Sequence, residues 1–583
     1  MSSTTTKKQA LAIGEARTKQ THEGRENRNG ADTAPESAKI SKFASVYGNG
    51  VRPKHLSRAH FMTRAADGAV EDLNKVGRFL KTSGGELYFC QEQPDAKIIP
   101  LTSDDVRFRS LINRHFKINA ASGDVFNHII TAAQMHAYEN GKVADVYQFA
   151  HVDRDTKTAY VSFLDGAYML KLTGSPIPER VPIGTDGVFF ANDVHCEPWT
   201  LAVEEEIDHD GQAVDVFYDK GAAKQYLVDP IEFTDTEHLS REDQQWLFEV
   251  WIRSQFLDLT EKPLVLLYGV PGSGKTLALQ RVKKALFGAN ADVDSASTED
   301  AFTAAVSNNS LVVLDNIDRS YSKWLADNLA KASTGVSFNK RALYTTNTQV
   351  TFPARAAIGL TAFAPSFIEN GPDLADRTLV FGLSRVKGDF KGRGEAFRLV
   401  REHRDEILTD LALATNEYIR FWRKQQKEET SPLRMADFGI LLQNYAKMEK
   451  QEDRVKKVFS VLQKVQTDLL AEHDSLVMGI QEWREKHPGE DYEGTAGDIA
   501  KTVFELTGVR HTAGSIGRKI NAMWAFLEKK FGAKKKPGRS RYMRYRFSAM
   551  ESVPQEQAGE LVKIGEHSQT QSSPDVNVSS TSS

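Results

Sequence analysis

The sequence predicts an α/β chain built on a parallel sheet, preceded by an α+β region and followed by helices and a small basic domain. Three observations carry that prediction. Two short runs, LVLLY at 264–268 and LVVL at 311–314, are apolar throughout, as strands covered on both faces must be. Each precedes a segment of helical pattern, LALQRVKKALF after the first and SYSKWLADNLAKAS after the second. The β-rich runs ELYFC, VYQFAHV, TAYVSFL and AYMLKL lie upstream, separated by turn residues at 153–156 and at Asp165-Gly166.

Taken in order, residues 1–40 are rich in Ser, Thr, Lys, Glu and Gly and poor in large apolar groups. They bury too little surface to offset ordering entropy, so a disordered tail is expected there, and another at 554–583. Residues 70–230 are expected to form an α+β accessory domain that includes the helices DDVRFRSLINRHF and DVFNHIITAAQMHAYEN. Its Asp153, Asp155 and Asp165 read as turn formers. His115, His128, His136, His151 and His195 have no ligand spacing. A lead-in helix, SREDQQWLFEVWIRSQF, opens a core at 236–385. A charged helical lid or linker follows at 386–490, and a basic domain at 492–548.

Composition bounds the compartment and the partners. The chain has 583 residues, enough for two to four domains. With 26% charged residues and a formal net charge of -3 it is no polycation, so any nucleic-acid surface must be local. Cys90 and Cys196 form neither a metal pattern nor a disulfide framework, which fits a reducing compartment. No apolar run of about 18 residues is present, so no membrane span is expected. The N-terminal segment lacks an apolar centre, so it does not read as a secretory signal, and a cytoplasmic protein is expected.

The first apolar run breaks into Gly269, Val270, Pro271, Gly272, Ser273, Gly274, Lys275 and Thr276, the G-x-x-x-x-G-K-[ST] pattern of a phosphate-binding loop. Glycines let the backbone turn its N–H groups toward one anion, and the following helix adds positive charge at its N-terminus. Lys275 is placed to reach the β- and γ-phosphates of ATP, and the Thr276 hydroxyl to ligate Mg²⁺. The second run ends in Asp315, an acid at the carboxyl end of a parallel strand, where it would complete the Mg²⁺ shell. Asn316 follows, where many ring ATPases carry Glu. An amide orients water but cannot take its proton, which leaves Asp318 as a candidate helper.

Residues 337–344 and 349–352 read as a β-hairpin with Thr346-Asn347-Thr348 as its turn. The strand AAIGLT then brings Thr361 next to Asp315, as a candidate sensor of the γ-phosphate, with Asn347 as its rival. The segment PDLADRT supplies Arg377 as a candidate arginine finger, acting on a neighbouring subunit's nucleotide; the alternative is an ordinary surface-loop arginine.

The succession GVPGSGKT, LVVLDNID, TGVSFNKRALYTTNTQVTF, PDLADRTLVF and RMADF at 434–438 resembles the ATPase module of phage and mobile-element primase-helicase proteins, relatives of superfamily 3 and AAA+ ring helicases. The likeness covers about 230–440. It implies a P-loop AAA+/superfamily 3-like core and a homo-oligomeric ring, a hexamer, moving on DNA. It also implies a pore hairpin whose Lys340 and Arg341 grip phosphates; exposed charges that discourage sheet pairing are the alternative. Two departures stand out. Thr361 occupies a position where the family commonly has Asn, and no acidic metal motif in residues 1–230 supports primer synthesis. RMADF matches the family without an evident mechanism.

Residues 501–548 carry thirteen Lys/Arg against two Asp/Glu. The pattern helix, turn, helix, basic hairpin looks like a winged helix-turn-helix, with Thr495 and Ser515 as N-caps. Ser515, Arg518, Lys519 and Asn521 would face a DNA groove. Lys534, Lys535, Lys536, Arg539 and Arg541 would bind phosphates, with Tyr542 and Tyr545 interleaved. The reading is a DNA-dependent ATPase, a ring-forming replicative helicase of a phage or mobile element working with other replication proteins. The rivals are an ATP-switched DNA-binding initiator or regulator that does not unwind, and a P-loop kinase of a small molecule.

Overall fold

The computed structural model describes residues 54–549, apart from 93–96, 103–104, 117–122, 192–194, 208–212, 218–220, 237–238, 295, 318–322, 342–348, 353, 355, 365–371, 387–391, 426–429, 473–474 and 538–542. Both expected tails lie outside the described residues. The chain divides into two units, Met1–Val465 and Gln466–Ser583.

In the first unit, α1 (Arg58–Leu73) starts at Ser57, whose hydroxyl accepts the His60 N–H. An antiparallel meander follows, β1 (Gly77–Lys81), β2 (Leu87–Gln91) and β3 (Lys97–Pro100). After α2 (Val106–Phe116) and α3 (Gly123–Asn140), β4 (Lys142–Val143) returns parallel to β1. Alanines on α1 (Ala65, Ala69) and α3 (Ala133, Ala137) share one core with Phe79 and Phe89 of the sheet. Their small side chains let the two helices lie close.

Two-residue β5 (Val146–Tyr147) leads to β6 (Ala150–Asp153), β7 (Thr158–Ser162), β8 (Tyr168–Leu172) and β9 (Glu179–Pro182), an antiparallel sheet in chain order. β10 (Phe189–Phe190) pairs back on β5, and β11 (Val203–Ile207) pairs with β12 (Ala213–Phe217). The upstream β-rich runs of the sequence coincide with β2, β5–β6, β7 and β8. Successive side chains of β7 and β8 point to opposite faces, and a different cluster covers each face. Tyr160 and Met169 join one cluster, with Phe189 and Phe190. Ala159, Val161, Leu170 and Leu172 join another, together with Trp251, Leu267, Leu286, Leu411 and Phe438. The region expected as one accessory domain is thus shared among three hydrophobic clusters, and one of these is also the core of the downstream sheet.

That downstream sheet is entered through α4 (Arg241–Arg253), capped by Ser240, whose hydroxyl accepts the Asp243 N–H at 3.2 Å. Its elements are β13 (Leu264–Tyr268), α5 (Lys275–Phe287), α6 (Glu299–Asn308), β14 (Leu311–Leu314), α7 (Lys323–Ser333), the hairpin β15 (Phe338–Arg341) and β16 (Gln349–Phe352), β17 (Ala357–Ala362), α8 (Pro372–Ala375) and β18 (Thr378–Gly382). The strand order is β14-β17-β13-β18, parallel throughout. All four residues of β14 and all six of β17 are buried, as the unbroken apolar runs require.

Helices α9 (Arg393–Glu402), α10 (Arg404–Arg423), α11 (Ala436–Met448) and α12 (Glu452–Glu472) follow. Buried Arg404 donates to Ala285 O at 2.9 Å and Leu286 O at 3.0 Å, satisfying carbonyls at the end of α5, and also reaches Glu197 O and Pro198 O. Behind β8, Gly174 has a left-handed φ of +76°. It donates its N–H to Asn416 Oδ1 at 2.8 Å, and its carbonyl accepts from Arg420 Nε at 2.8 Å.

The second unit contains α13 (Ser475–Lys486), β19 (Tyr492–Thr495), α14 (Ala496–Thr507), α15 (Ala513–Ala522), α16 (Trp524–Phe531), β20 (Lys534–Pro537) and β21 (Met543–Phe547). Its antiparallel sheet runs β19-β21-β20. Thr495 caps α14 in a reciprocal capping box with Asp498. The second expected cap is corrected. Thr512, not Ser515, caps α15, and its hydroxyl accepts the Ser515 N–H at 3.1 Å. Ser515 is therefore the third helical residue. Tyr545 is also relocated: it is buried with Ile499, Ile516, Leu527 and Phe547, not set among phosphate contacts. No described helix is long and apolar enough to cross a membrane.

A Cβ on Gly174 would lie 2.6 Å from Arg420 Cα. Gly174→Ala combines left-handed strain with a clash against helix backbone, so it should cost about 3 kcal/mol in denaturant or thermal unfolding.

Candidate functional site

The loop 269–276 leaves the carboxyl end of β13 and opens α5. Gly269 has φ +151°, Gly272 +82° and Gly274 +79°. A Cβ on Gly269 would fall 2.2 Å from Leu383 O, so only glycine fits where the loop passes the end of β18. The next strand exit closes along the loop: Val386 donates its N–H to Gly272 O at 3.2 Å. Gly274 is the left-handed N-cap residue of α5 and has no side chain to occupy the first-turn N–H groups. The Lys275 ammonium folds over the loop and donates to Gly269 O at 2.6 Å and Val270 O at 3.3 Å. Val270, Pro271 and Gly272 are exposed, whereas Ser273 is buried.

Three chain segments meet on one oxygen beside this loop. The Thr276 hydroxyl donates to Asp315 Oδ1 at 2.6 Å, and the Thr361 hydroxyl donates to the same atom at 2.5 Å. Thr361 in turn accepts the Asn316 N–H at 2.9 Å. The pairing of β14 with β17 (Leu314 opposite Leu360) creates this convergence by placing the next residue of each strand side by side. Asp315 is exposed and Thr361 buried, so a buried hydroxyl orients an accessible carboxylate. Asn316 has φ +59°, a left-handed conformation that Asn tolerates better than most residues, and it is exposed.

One hydroxyl and one carboxylate form a sparse, all-oxygen donor set. That suits Mg²⁺, which keeps waters and substrate phosphates in its shell, better than a metal that needs nitrogen or sulfur ligands. Among the described residues no group of three or more His, Cys, Asp or Glu could hold a metal alone.

Arg377 stands elsewhere. It immediately precedes Thr378, which pairs with Leu264 at the amino end of the sheet. Six residues of strand rise, roughly 20 Å, separate its level from Gly269 of its own chain. It is 9% exposed rather than on an open surface loop, and its guanidinium donates to Ala330 O at 3.4 Å. The strands bearing Lys340 and Arg341 pair as a hairpin, Phe338 with Phe352 and Arg341 with Gln349. The side chains of Lys340 and Arg341, the connection 342–348 with Asn347, and Asp318 lie outside the described residues.

In the second unit, Arg518 on α15 and Lys534 and Lys535 on β20 are exposed, while Lys519 and Lys536 are half-buried. Lys535 lies 4.3 Å from the Trp524 ring centroid and donates to Asn521 Oδ1 at 3.0 Å, joining the hairpin to the end of α15. Sequence reasoning passed over the acids of this unit. Glu493 pairs with Lys536 at 3.0 Å and Arg544 at 3.7 Å, and Asp491 pairs with Arg546. Arg539, Arg541 and Tyr542 lie outside the described residues. In the first unit Arg385 was also missed; it is exposed and directly precedes Val386 on the segment along the phosphate loop. Its position two residues beyond the strand LVFGL was the available signal.

No curated protein matches the chain. Among solved structures, the apo C-terminal region of NrS-1 is similar over 82% of this chain and 97% of its own, at 11% identity and a TM-score of 0.35. The active helicase Cch of SCCmec type IV is similar over 83% and 94%, at 13% identity and a TM-score of 0.38. JCV helicase, in a crystal structure with a bound acetamide compound, aligns with 38% of this chain and 61% of its own, at 12% identity and a TM-score of 0.19. Residues 239–453, the stretch that holds the phosphate loop, Asp315, Thr361 and Arg377, match the family of actinomycete integrative conjugative element replication proteins.

Proposed function

We propose that this chain is a DNA-dependent ATPase that works as a ring-forming helicase in the replication of a mobile element. The observation that carries the reading is the meeting of Thr276, Asp315 and Thr361 on one carboxylate oxygen, beside a glycine-rich loop at the carboxyl end of a parallel sheet. Open α/β sheets bind ligands at that end. The match of residues 239–453 to replication proteins supports the cellular setting.

ATP would lie along 269–276, with Mg²⁺ held by Thr276 and Asp315 and neutralising charge between the β- and γ-phosphates. The Lys275 ammonium would exchange the carbonyls of Gly269 and Val270 for phosphate oxygens, a charge-assisted contact stronger than the one it leaves. Thr361 would keep Asp315 in one rotamer and report the state of the γ-phosphate through the Asn316 N–H. Asn316 would orient water without accepting its proton. Arg377, at the opposite edge of the sheet, would serve a neighbouring subunit's nucleotide, so each site is completed at an interface of a hexamer. Lys340 and Arg341 on the β15–β16 hairpin would hold a strand in the pore. The second unit, read as a winged helix, would recruit DNA through Arg518, Lys519, Lys534, Lys535, Lys536, Arg539 and Arg541.

Asn316 in place of an acid favours a second reading, an ATP-switched DNA-binding initiator without unwinding. A forked duplex separates the two: displacement coupled to fast turnover supports the motor, and ATP-dependent protection without displacement supports the switch.

Lys275→Ala should lower DNA-stimulated ATP hydrolysis by on the order of a hundredfold and abolish strand displacement. Unwinding by that variant would refute the assignment. Thr361→Val keeps the shape but leaves the Asn316 N–H without its acceptor. A loss of about 1 kcal/mol in thermal stability is expected, with a smaller stabilisation by ATP–Mg²⁺ than in the parent chain. Lys535→Ala should weaken DNA binding equally across sequences and reduce the slope of log affinity against log salt by about one.

A further inference from the structure

The RMADF segment at 434–438 is occupied by a polar network rather than by the nucleotide site. Asp437, in the first turn of α11, accepts Arg154 in a two-pronged contact, Nη2 to Oδ2 at 2.6 Å and Nη1 to Oδ1 at 3.2 Å. The same carboxylate accepts the N–H groups of Thr260 at 3.1 Å and Glu261 at 3.4 Å, in the loop that enters β13. Glu261 answers by accepting the Ala436 N–H at 2.8 Å. Partial burial opposes charge on Asp437, but the bonds from Arg154 and from the two backbone N–H groups outweigh it and hold the carboxyl below the ordinary range.

From that loop the network runs directly to Arg377. Lys262 donates its N–H to Ser333 O at 2.9 Å, and Leu264 donates its own to Arg377 O at 2.8 Å. Arg377 donates to Ala330 O on α7, the helix that also ends at Ser333. Arg434 closes the circuit on Asp376, the residue before Arg377, at 3.4 Å. At the far end, Arg154 sits in the β6–β7 turn. That turn is fastened to the end of α10 by Lys157 Nζ on Trp422 O at 2.9 Å and by Arg423 Nε on Lys157 O at 3.0 Å.

We propose that Asp437 and Arg154 form a latch that positions Arg377 for its contact with a neighbouring subunit's nucleotide, making the β6–β9 sheet part of the device that sets trans activation. Asp437, Arg154 and Arg434 are positioning residues here. The inference rests on the reading of Arg377 given above. Its energetic logic is a half-buried carboxylate with four donors: removing its charge loosens the β13 entry and the Arg377 corner together, because they share one backbone hydrogen bond.

Mixed assemblies of full-length chains test it. Lys275→Ala subunits lack a working site but supply Arg377; Arg377→Ala subunits keep the site and lack the arginine. Each alone should be inactive, and a mixture should regain DNA-stimulated ATP hydrolysis. Asp437→Asn is then added to one partner at a time. Placed in the Lys275→Ala partner, it should reduce the regained turnover by about tenfold, and in the Arg377→Ala partner it should leave turnover unchanged. Binding of a fluorescent ATP analogue by the Asp437→Asn chain should stay within about twofold of the parent, which separates positioning from misfolding. Arg154→Ala should reproduce the placement dependence. Loss that is the same in either partner, or no loss in either, overturns the latch while leaving trans action by Arg377 standing. No regain in the parental mixture overturns the trans reading and the latch with it.

Discussion

A single carboxylate oxygen organises the candidate site. Oδ1 of Asp315 receives a hydroxyl from the helix that follows the loop and another from the neighbouring strand. Strand order β14-β17-β13 seats β17, and with it Thr361, between the strand carrying the acid and the strand feeding the loop. Two hydroxyl donors on Oδ1 orient the carboxylate of Asp315, a residue that is itself exposed. The buried apolar strands therefore act on chemistry indirectly. They fix register, and register fixes which oxygen faces which.

The parallel sheet also gives the molecule two unlike edges. The loop, Asp315 and Thr361 stand at the carboxyl edge, and Arg377 with Asp376 and Arg434 at the amino edge. A residue some 20 Å along the strands from its own phosphate loop cannot neutralise charge there, since such a contact needs hydrogen-bonding distance. If Arg377 acts on a nucleotide, that nucleotide belongs to another copy. Its low exposure adds a second condition: the corner must be held, and held in a state from which the guanidinium can be presented. A network reaching from Ala330 and Leu264 to Asp437 is suited to that, because backbone N–H groups of residues 260–264 link the Asp437 carboxylate to Ser333 and to Arg377.

What the sequence reveals and what it conceals follow from distance along the chain. The loop, the apolar strands and their helices are local patterns, and the neighbourhood of Thr361 and Asp315 followed from strand order alone. The latch was hidden because its halves, Arg154 and Asp437, are 283 residues apart and each is an ordinary charged residue in its own segment. The β6–β9 run read as a separate region because alternation shows that a strand has two faces without showing what covers them; Ala159 and Val161 turned out to share a core with Trp251 and Leu411. At the start of α15, Thr512 and Ser515 are equally good caps on chemical grounds. Only the left-handed Gly508 ending α14 and the extended backbone at Thr512 choose between them.

Charge counting misleads most in the second unit. Thirteen cations against two acids describes residues 501–548, but the strand that opens the sheet starts before that window and brings Asp491 and Glu493 beneath the hairpin. Lys536, Arg544 and Arg546 are each within reach of one of them. A phosphate approaching those three must compete with a carboxylate already in place, so they contribute less counterion release than their number suggests. Lys534, Lys535 and Arg518 are exposed and, among the described residues, make no ion pair with Asp491 or Glu493; Lys535 is braced on Trp524 and Asn521. The acids thus sharpen a diffuse positive surface into a narrower one along β20 and α15. A polyanion would meet that strip first and align to it, and the two exposed acids would exchange some affinity for orientation.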